Sequence, residues 1–368
     1  MKTAKEFLAD LIAIKTDGLL NGVQQCVDYI CDVLQQNDVL FERVPHIGNS
    51  KESVVAVVNA PQMRDVSGGL VLSGHIDVVS ANEEEWKTPP FELTAEEGKL
   101  FGRGTVDMKY FAAVLLAALS ELKKAENPVF LVFTSDEETD VCGARAVTSF
   151  FKERNIHPEY ALIGEPTNFK ICVANKGYAG YKTVVKGIAA HSSAPELGVN
   201  AVYVAAKMIS EIERLNAVYM PLGTTLNVGV VNGGKERNSI ADEAVIDWEI
   251  RYVAEEHKAS ILQELDVFSQ RLVEEYLGAD IKLLAQETLP AFVEKKDGRL
   301  TGVAMALLQT EQLTLKYATE AGFFQQAGIE TIICGAGDEG LAHTSAEYIL
   351  EEDLERYDCF LRDFVAHL

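Results

Sequence analysis

Hydrophobic and polar positions along this chain fall into runs of two periods. Over MKTAKEFLADLIAIKTDG the apolar residues Phe7, Leu8, Leu11, Ile12 and Ile14 recur at helical spacing, interrupted by Asp10 and Lys15. That spacing gathers them on one face of a helix. Residues 22–36 carry a second helical pattern. SVVAVVNA then reads as a strand, and GGLVLSGHIDVV as a buried strand with a polar end. DMKYFAAVLLAALSEL predicts a helix rich in Ala and Leu, while NPVFLVFTSDEE and YALIGEP are further buried strands. Apolar strands separated by helices predict a mostly parallel sheet covered on both faces, since a strand buried on both sides needs an unbroken apolar run.

The pattern changes near residue 175. GYKTVVKG reads as a strand, GVNAVYVAAKMISEIERL as a helix, TTLNVGVVNGG and DEAVIDWEIRYV as strands, EEHKASILQELDVFSQRLVEEYL as a helix and IKLLAQET as a strand. The order β-α-β-β-α-β is that of a ferredoxin-like unit with an antiparallel four-stranded sheet. After about residue 290 the first style returns, with GRLTGVAMALLQ as a helix, TIICGAG as a strand and AEYILEEDLERYDCFLRDFVAHL as a terminal helix. The simplest account is an insertion: residues 1–174 and 290–368 form one domain, and residues 175–289 a smaller one between them. A chain of 368 residues is also too long for one ordinary domain.

Charge narrows the function classes. The net charge of −23 argues against nucleic acid and against an anionic membrane surface, both of which need a basic face. The charged residues in the first helix break the apolar core that a signal peptide requires. No apolar run reaches the roughly 18 residues of a membrane span. The six cysteines are scattered without a CxxC pair and read as reduced core thiols, so the expected compartment is the cytoplasm.

Five polar clusters sit at or just after the ends of predicted strands, the edge where open α/β sheets bind ligands. In SGHIDVV a period of two puts His75 and Asp77 on one face, so that one can bind a metal while the other orients it. The plainer alternative is a hydrogen-bonded histidine at a strand end. Asp107 in FGRGTVDMK follows glycines that permit an unusual backbone path, and as the start of a helix it also suits an N-cap. Asp136, Glu137, Glu138 and Asp140 crowd one strand end, which a buried site tolerates only with protons or cations and a solvated loop tolerates freely. Glu165 in IGEPT and His343 in GLAHTSAEY are weak signals singly. Together, two histidines and three or more carboxylates without cysteine suit zinc, cobalt or manganese, in number enough for two ions. A carboxylate left over from coordination is the base that a metal-assisted hydrolase needs.

These motifs resemble the zinc-dependent metallopeptidases and deacylases that include acetylornithine deacetylase, succinyl-diaminopimelate desuccinylase, the aminoacylases and glutamate carboxypeptidases. SGHIDVV, GRGTVDMK, TSDEE, GEPT, AHSSAPELGVNA and AHTSAEY agree in identity, order and approximate spacing, over essentially the whole chain. The resemblance implies an α/β fold: a phosphorylase/hydrolase-like, mixed-sheet catalytic domain with an inserted ferredoxin-like α+β domain. It implies two Zn2+ ions, with Co2+ or Mn2+ as substitutes. Asp107 would bridge them, His75 and Glu165 would complete one site, and Glu138 and His343 the other. Asp77 would orient His75, and Glu137 would serve as general base and then proton donor. A cis peptide after the bridging aspartate is a further family trait. His191 would reach the substrate carbonyl, in cis or from a partner subunit, while Asn238 and Arg251 would hold the substrate carboxylate, for which a guanidinium offers two parallel donors. The family also implies a homodimer through the inserted domain.

YATEAGFF resembles the TEA segment of the acetylornithine deacetylase branch, and Glu320 in it could face a substrate amine or begin a helix. The expected reaction is hydrolysis of the amide of a small N-acyl amino acid, N2-acetyl-L-ornithine first, in arginine biosynthesis. Deacetylation of acetylcitrulline or acetyl-lysine, desuccinylation of succinyl-diaminopimelate, and di- or tripeptide hydrolysis are the alternatives. A non-catalytic relative would be marked by loss of Glu137 or of a ligand. A nucleotide-binding α/β protein would show a glycine-rich phosphate loop after its first strand, and none is present.

Overall fold

The strands Leu40–Pro45, Glu52–Val58, Val129–Thr134, Leu70–His75, Tyr160–Ile163 and Glu330–Ile333 lie side by side in that order, continued by Ile171–Asn175. They belong to the first of two compact units, built from residues 1–174, 293–314 and 319–368. The computed structural model from which they are taken describes residues 2–18, 20–139, 141–294 and 298–368. The inner strands, from Val129–Thr134 to Glu330–Ile333, run parallel. Leu40–Pro45 and Glu52–Val58 are antiparallel to their neighbours, and Ile171–Asn175 pairs antiparallel with Glu330–Ile333. The sheet is therefore mixed, with a parallel centre.

That centre follows from the apolar runs. Every residue of Leu70–His75 and Val129–Thr134 is buried, which requires cover on both faces. On one face the helices Ala4–Ala13, Leu20–Gln36, Lys109–Leu122 and Glu351–Ala366 share a core with Val54, Ala56, Leu70, Leu72, Leu131 and Phe133. Helix Cys142–Glu153 packs on Glu52–Val58 and brings Phe151 to 5.5 Å from Phe130, ring centre to ring centre. Lys109–Leu122 is buried along almost its whole length, so it lacks the polar stripe of a surface helix.

Several segments, Ile171–Asn175 among them, differ from the elements expected from the sequence. Leu40–Pro45 is a strand although only Val44 in it is buried, so no apolar alternation marks it. Helix Cys142–Glu153 is not among the expected elements, although its buried Ala144, Val147, Phe150 and Phe151 recur at helical spacing. The terminal helix begins later than AEYIL suggests, because Tyr348–Leu350 pairs as a short strand with Lys99–Phe101 before Glu351–Ala366 turns helical.

The second unit comprises residues 175–292 and 315–318. Its strands lie in the order Thr225–Gly233, Glu243–Tyr252, Gly177–Lys186, Asp280–Leu289, all antiparallel. Along Glu243–Tyr252 the residues Ala244, Ile246, Trp248, Ile250 and Tyr252 are buried and their alternates are not. That period of two turns one face to the helices Ala201–Tyr219 and Glu255–Glu275, whose Val204, Met208, Ile212, Ile261 and Leu265 complete the core.

Candidate metal centre

The four parallel strands end at one edge, and each hands its next residues to the same place. Leu70–His75 ends on His75, Val129–Thr134 runs into Ser135–Glu138, Tyr160–Ile163 into Gly164–Glu165, and Glu330–Ile333 into the segment carrying His343. Packing explains two motif glycines. A Cβ on Gly74 would lie 2.6 Å from Met108 Cε and 2.7 Å from Phe111 Cδ1, and one on Gly164 would lie 2.2 Å from Phe111 Cδ2. The ring of Phe111 fills the space of both side chains, which draws the start of helix Lys109–Leu122 against the strand ends. The residue before that helix, Met108, makes no side-chain cap, and the Asp107–Met108 peptide is cis. Asp107 is therefore not an N-cap, and its carboxylate is free for the site.

Two triads of potential ligands result, His75 with Asp107 and Glu165, and Asp107 with Glu138 and His343. Within each, the ligand atoms lie within 4.8 Å of one another. Asp107 divides its oxygens between them. Oδ1 is 2.9 Å from His75 Nε2, and Oδ2 is 3.2 Å from His343 Nε2. Glu165 Oε1 stands 3.7 Å from His75 Nε2, and Glu138 Oε1 stands 3.1 Å from His343 Nε2. His75 Nδ1 donates to the Asp77 carbonyl at 3.0 Å. Its Nε2 then points a lone pair at the carboxylates of Asp107 and Glu165, an arrangement that needs a proton or a cation in between.

The electrostatics say the same. Burial depresses the basicity of His75, but the hydrogen bond to Asp107 and the charges of Glu165 and Asp107 outweigh it and raise its pKa well above the usual range. Hydrogen bonds to Asp107 and Glu138 push His343 up to about 10. Burial raises the carboxyl of Asp107, yet the hydrogen bonds from His343 and His75 hold it below the ordinary carboxylate range. Burial, with the neighbouring carboxylates Glu165, Glu138 and Asp107, lifts Glu137 well above its usual value. Burial likewise lifts Glu165. A nitrogen and oxygen donor set this crowded with negative charge fits divalent cations such as zinc.

Asp77 lies just past the end of its strand and serves both triads. Its Oδ2 accepts the Glu138 N–H at 3.0 Å, while Oδ1, 3.8 Å from His75 Nδ1, is buried without a hydrogen-bond partner among the described residues. Asp136 sits in the left-handed region at φ 74° and is held by Lys51, by the Thr139 hydroxyl, and by Asn49 Nδ2 at 2.8 Å. Asp140 lies outside the described residues. Lys51 and Asn49 have no motif to announce them, because the turn between Leu40–Pro45 and Glu52–Val58 meets Asp136 only in the folded sheet.

Glu320, for which the sequence offers a substrate amine or a helix start, immediately precedes the helix Ala321–Gln326. It is fully buried, with Oε1 accepting from the Ser73 hydroxyl and Oε2 from the Thr134 hydroxyl at 2.7 Å. The carboxylate thus ties together the ends of two strands that lead to the site. In the second unit, His191 is exposed and its Nδ1 lies 2.7 Å from Ser193 Oγ. The Ser192 N–H donates to the Asn238 carbonyl at 3.0 Å, so the loops of His191 and Asn238 are brought together. Arg251 is engaged on its own sheet, pairing with Glu249 at 3.2 Å and lying 4.4 Å over the Tyr178 ring.

Residues 71–367 match peptidase family M20/M25/M40. The chain is 34% identical to the acetylornithine deacetylase of Proteus mirabilis over 303 residues, 77% of this chain and 75% of that one. It is 29% identical to the acetylornithine deacetylase of Myxococcus xanthus over 98% of this chain and 96% of that one. Among solved structures, aminopeptidase PepT from Bacillus cereus superposes with a TM-score of 0.80 at 19% identity, covering 99% of this chain and 97% of that one. The YXEP protein of Bacillus subtilis, described as a dinuclear metal-binding peptidase of the M20 family, gives 0.72 at 15% identity over 99% and 97%. With a family match over residues 71–367 and relatives that align along most of its length, the chain belongs to peptidase family M20/M25/M40 and is a metal-dependent amidohydrolase.

Proposed function

We propose that the enzyme hydrolyses the amide of a small N-acetylated amino acid, with N2-acetyl-L-ornithine as its best substrate and acetate and L-ornithine as products. The observation that carries the chemistry is Asp107, whose two oxygens face the two histidines, with Glu137 beside the ligands and in neither triad. The likeness to acetylornithine deacetylases over most of the chain supports the substrate. His75, Asp107 and Glu165 would hold one divalent cation, and Asp107, Glu138 and His343 another. Bound there, such ions polarise a carbonyl and make water a competent nucleophile at neutral pH.

The chain's own residues do the rest. Asp77 fixes the His75 ring through the backbone and the Glu138 segment through its carboxylate. Glu137, whose proton affinity is raised by burial and by its anionic neighbours, takes the proton of the attacking water and delivers it to the leaving amine. On this reading His191 stabilises the oxyanion, and Asn238 with Arg251 binds the substrate carboxylate. Glu320, its oxygens already taken, acts on the substrate only through the strand ends that it ties. The reaction would serve arginine biosynthesis in the cytoplasm. Among the described residues no helix is long and apolar enough to cross a membrane.

A panel of acetylornithine, acetylcitrulline, acetyl-lysine, succinyl-diaminopimelate and simple dipeptides tests the substrate. Acetylornithine is expected to give the highest kcat/KM. A higher value for any other compound moves the assignment to that branch. The second unit is expected to form a homodimer, since Val230, Val231 and Tyr203 on its edge strand and outer helix are 53%, 50% and 66% exposed. Sedimentation at micromolar concentration would give a dimer mass, and a monomer mass rejects this.

A further inference from the structure

We propose that Glu347 is a positioning residue that locks the segment carrying Asp107 to the segment carrying His343. This rests on reading both of those residues as metal ligands. Glu347 is completely buried, yet the whole reach of its side chain is spent on one short stretch. Its Oε1 accepts the N–H groups of Gly104 at 2.9 Å, Val106 at 2.9 Å and Asp107 at 3.2 Å. Its Oε2 accepts from Arg103 Nη1 at 2.6 Å. Its backbone carbonyl takes the Gly102 N–H at 3.3 Å, and the strand that follows it pairs with Lys99–Phe101. Every residue from Gly102 to Asp107 except Thr105 thus bonds to this single residue, which lies four places after His343.

Only a carboxylate can do this. Successive backbone N–H groups converging on one point form an anion-binding concavity. A buried anion needs a counter-charge, and Arg103 supplies it from a side chain that is itself 4% exposed and lies 5.1 Å from the Trp86 ring centre. A glutamine could accept on one side alone, and would turn an NH2 group toward either the N–H groups or the guanidinium. Beyond the Asp107–Met108 bond, Lys109 anchors the other side by donating to the carbonyls of Leu11 at 2.9 Å and Ile14 at 2.7 Å. Asp107 is therefore framed on its N-terminal side by Glu347 and on its C-terminal side by Lys109. Because Asp107 belongs to both triads, a shift in this frame would loosen both ions together.

The test is a calorimetric zinc titration of the metal-stripped protein, with far-UV circular dichroism and thermal unfolding of the same samples. Glu347→Gln is expected to keep the parent spectrum and to bind zinc at both sites roughly 10- to 100-fold more weakly, the range for groups that orient metal ligands. When reloaded, it should lose kcat with KM little changed. Glu347→Asp, which keeps the charge and withdraws the acceptor, should fall between. Zinc binding at parental affinity in Glu347→Gln overturns the inference, even if the variant melts earlier, since the residue would then be merely structural. Failure of both variants to fold overturns it as well. Asp107→Asn and His343→Asn in the same titration separate the premises. If these two retain parental zinc binding, the ligand reading fails. If they lose zinc and Glu347→Gln does not, only the positioning role fails.

Discussion

Glu137→Gln is expected to lower kcat by about 10²- to 10⁴-fold, the usual contribution of a positioned general acid or base, while leaving the metal content at the parental level. The glutamine keeps the shape and the polarity and removes only the capacity to carry a proton. Glu137 belongs to neither ligand triad, although its neighbour Glu138 does. Burial and the charges of Glu165, Glu138 and Asp107 raise its proton affinity, which is what a group needs if it is to hold a proton between two steps. Metal content by atomic emission, measured beside kcat, separates the possible roles. Loss of metal together with activity would make Glu137 a ligand. Retention of both would remove it from the chemistry.

The second large effect is expected at Asp107. Substitution by Asn should weaken both metal sites and reduce kcat/KM by at least about 10³-fold, roughly 4 kcal/mol of transition-state stabilisation. Changes confined to one triad should behave differently. His343→Ala should weaken one ion and leave the other near its parental affinity, and His75→Ala should do the converse, because their Nε2 atoms face opposite oxygens of Asp107. The pattern matters more than any single loss. A binding isotherm in which Asp107→Asn disturbs only one ion would show that the carboxylate does not bridge.

Much of this arrangement was legible in the sequence, and the reason is periodicity. The inner strands and helix Lys109–Leu122 are mostly apolar because they are covered on both sides, so they stand out from their surroundings. Of the residues that the structure gathers into the two triads, His75 and Glu165 lie at or just after the ends of such runs and Asp107 just before one, whereas Glu138 and His343 follow in the loops beyond their strands. Leu40–Pro45 was illegible because one buried residue makes no pattern. Lys51 and Asn49 were illegible for a different reason. They reach Asp136 across an antiparallel strand, some 85 positions along the chain, and look like any polar turn. Glu320 shows the limit in the other direction. A glutamate in TEA reads equally as a substrate contact or a helix start, and only the fold shows that Ser73 and Thr134, polar members of two buried strands, take both its oxygens.

The ring of Phe111 also constrains how this site can change over time. It occupies the room that a side chain at Gly164 would need and, with Met108, the room at Gly74, since an added Cβ would lie 2.2 Å and 2.7 Å from its ring atoms. A larger residue at either glycine meets an aromatic ring wedged in a close-packed interior, so overpacking there costs on the order of 1–3 kcal/mol. Shrinking the ring alone leaves a void under two ligand-bearing strand ends, with a penalty of similar or greater size. The three positions are therefore epistatic. Each single step costs packing energy, and a paired change, a smaller residue at 111 with a larger one at 164, crosses to another packed solution, whereas at 74 the Met108 side chain must give way as well. Two of the glycines in the site's sequence signature would then persist for an aromatic neighbour some 37 and 53 positions away, and not for the metals they stand beside.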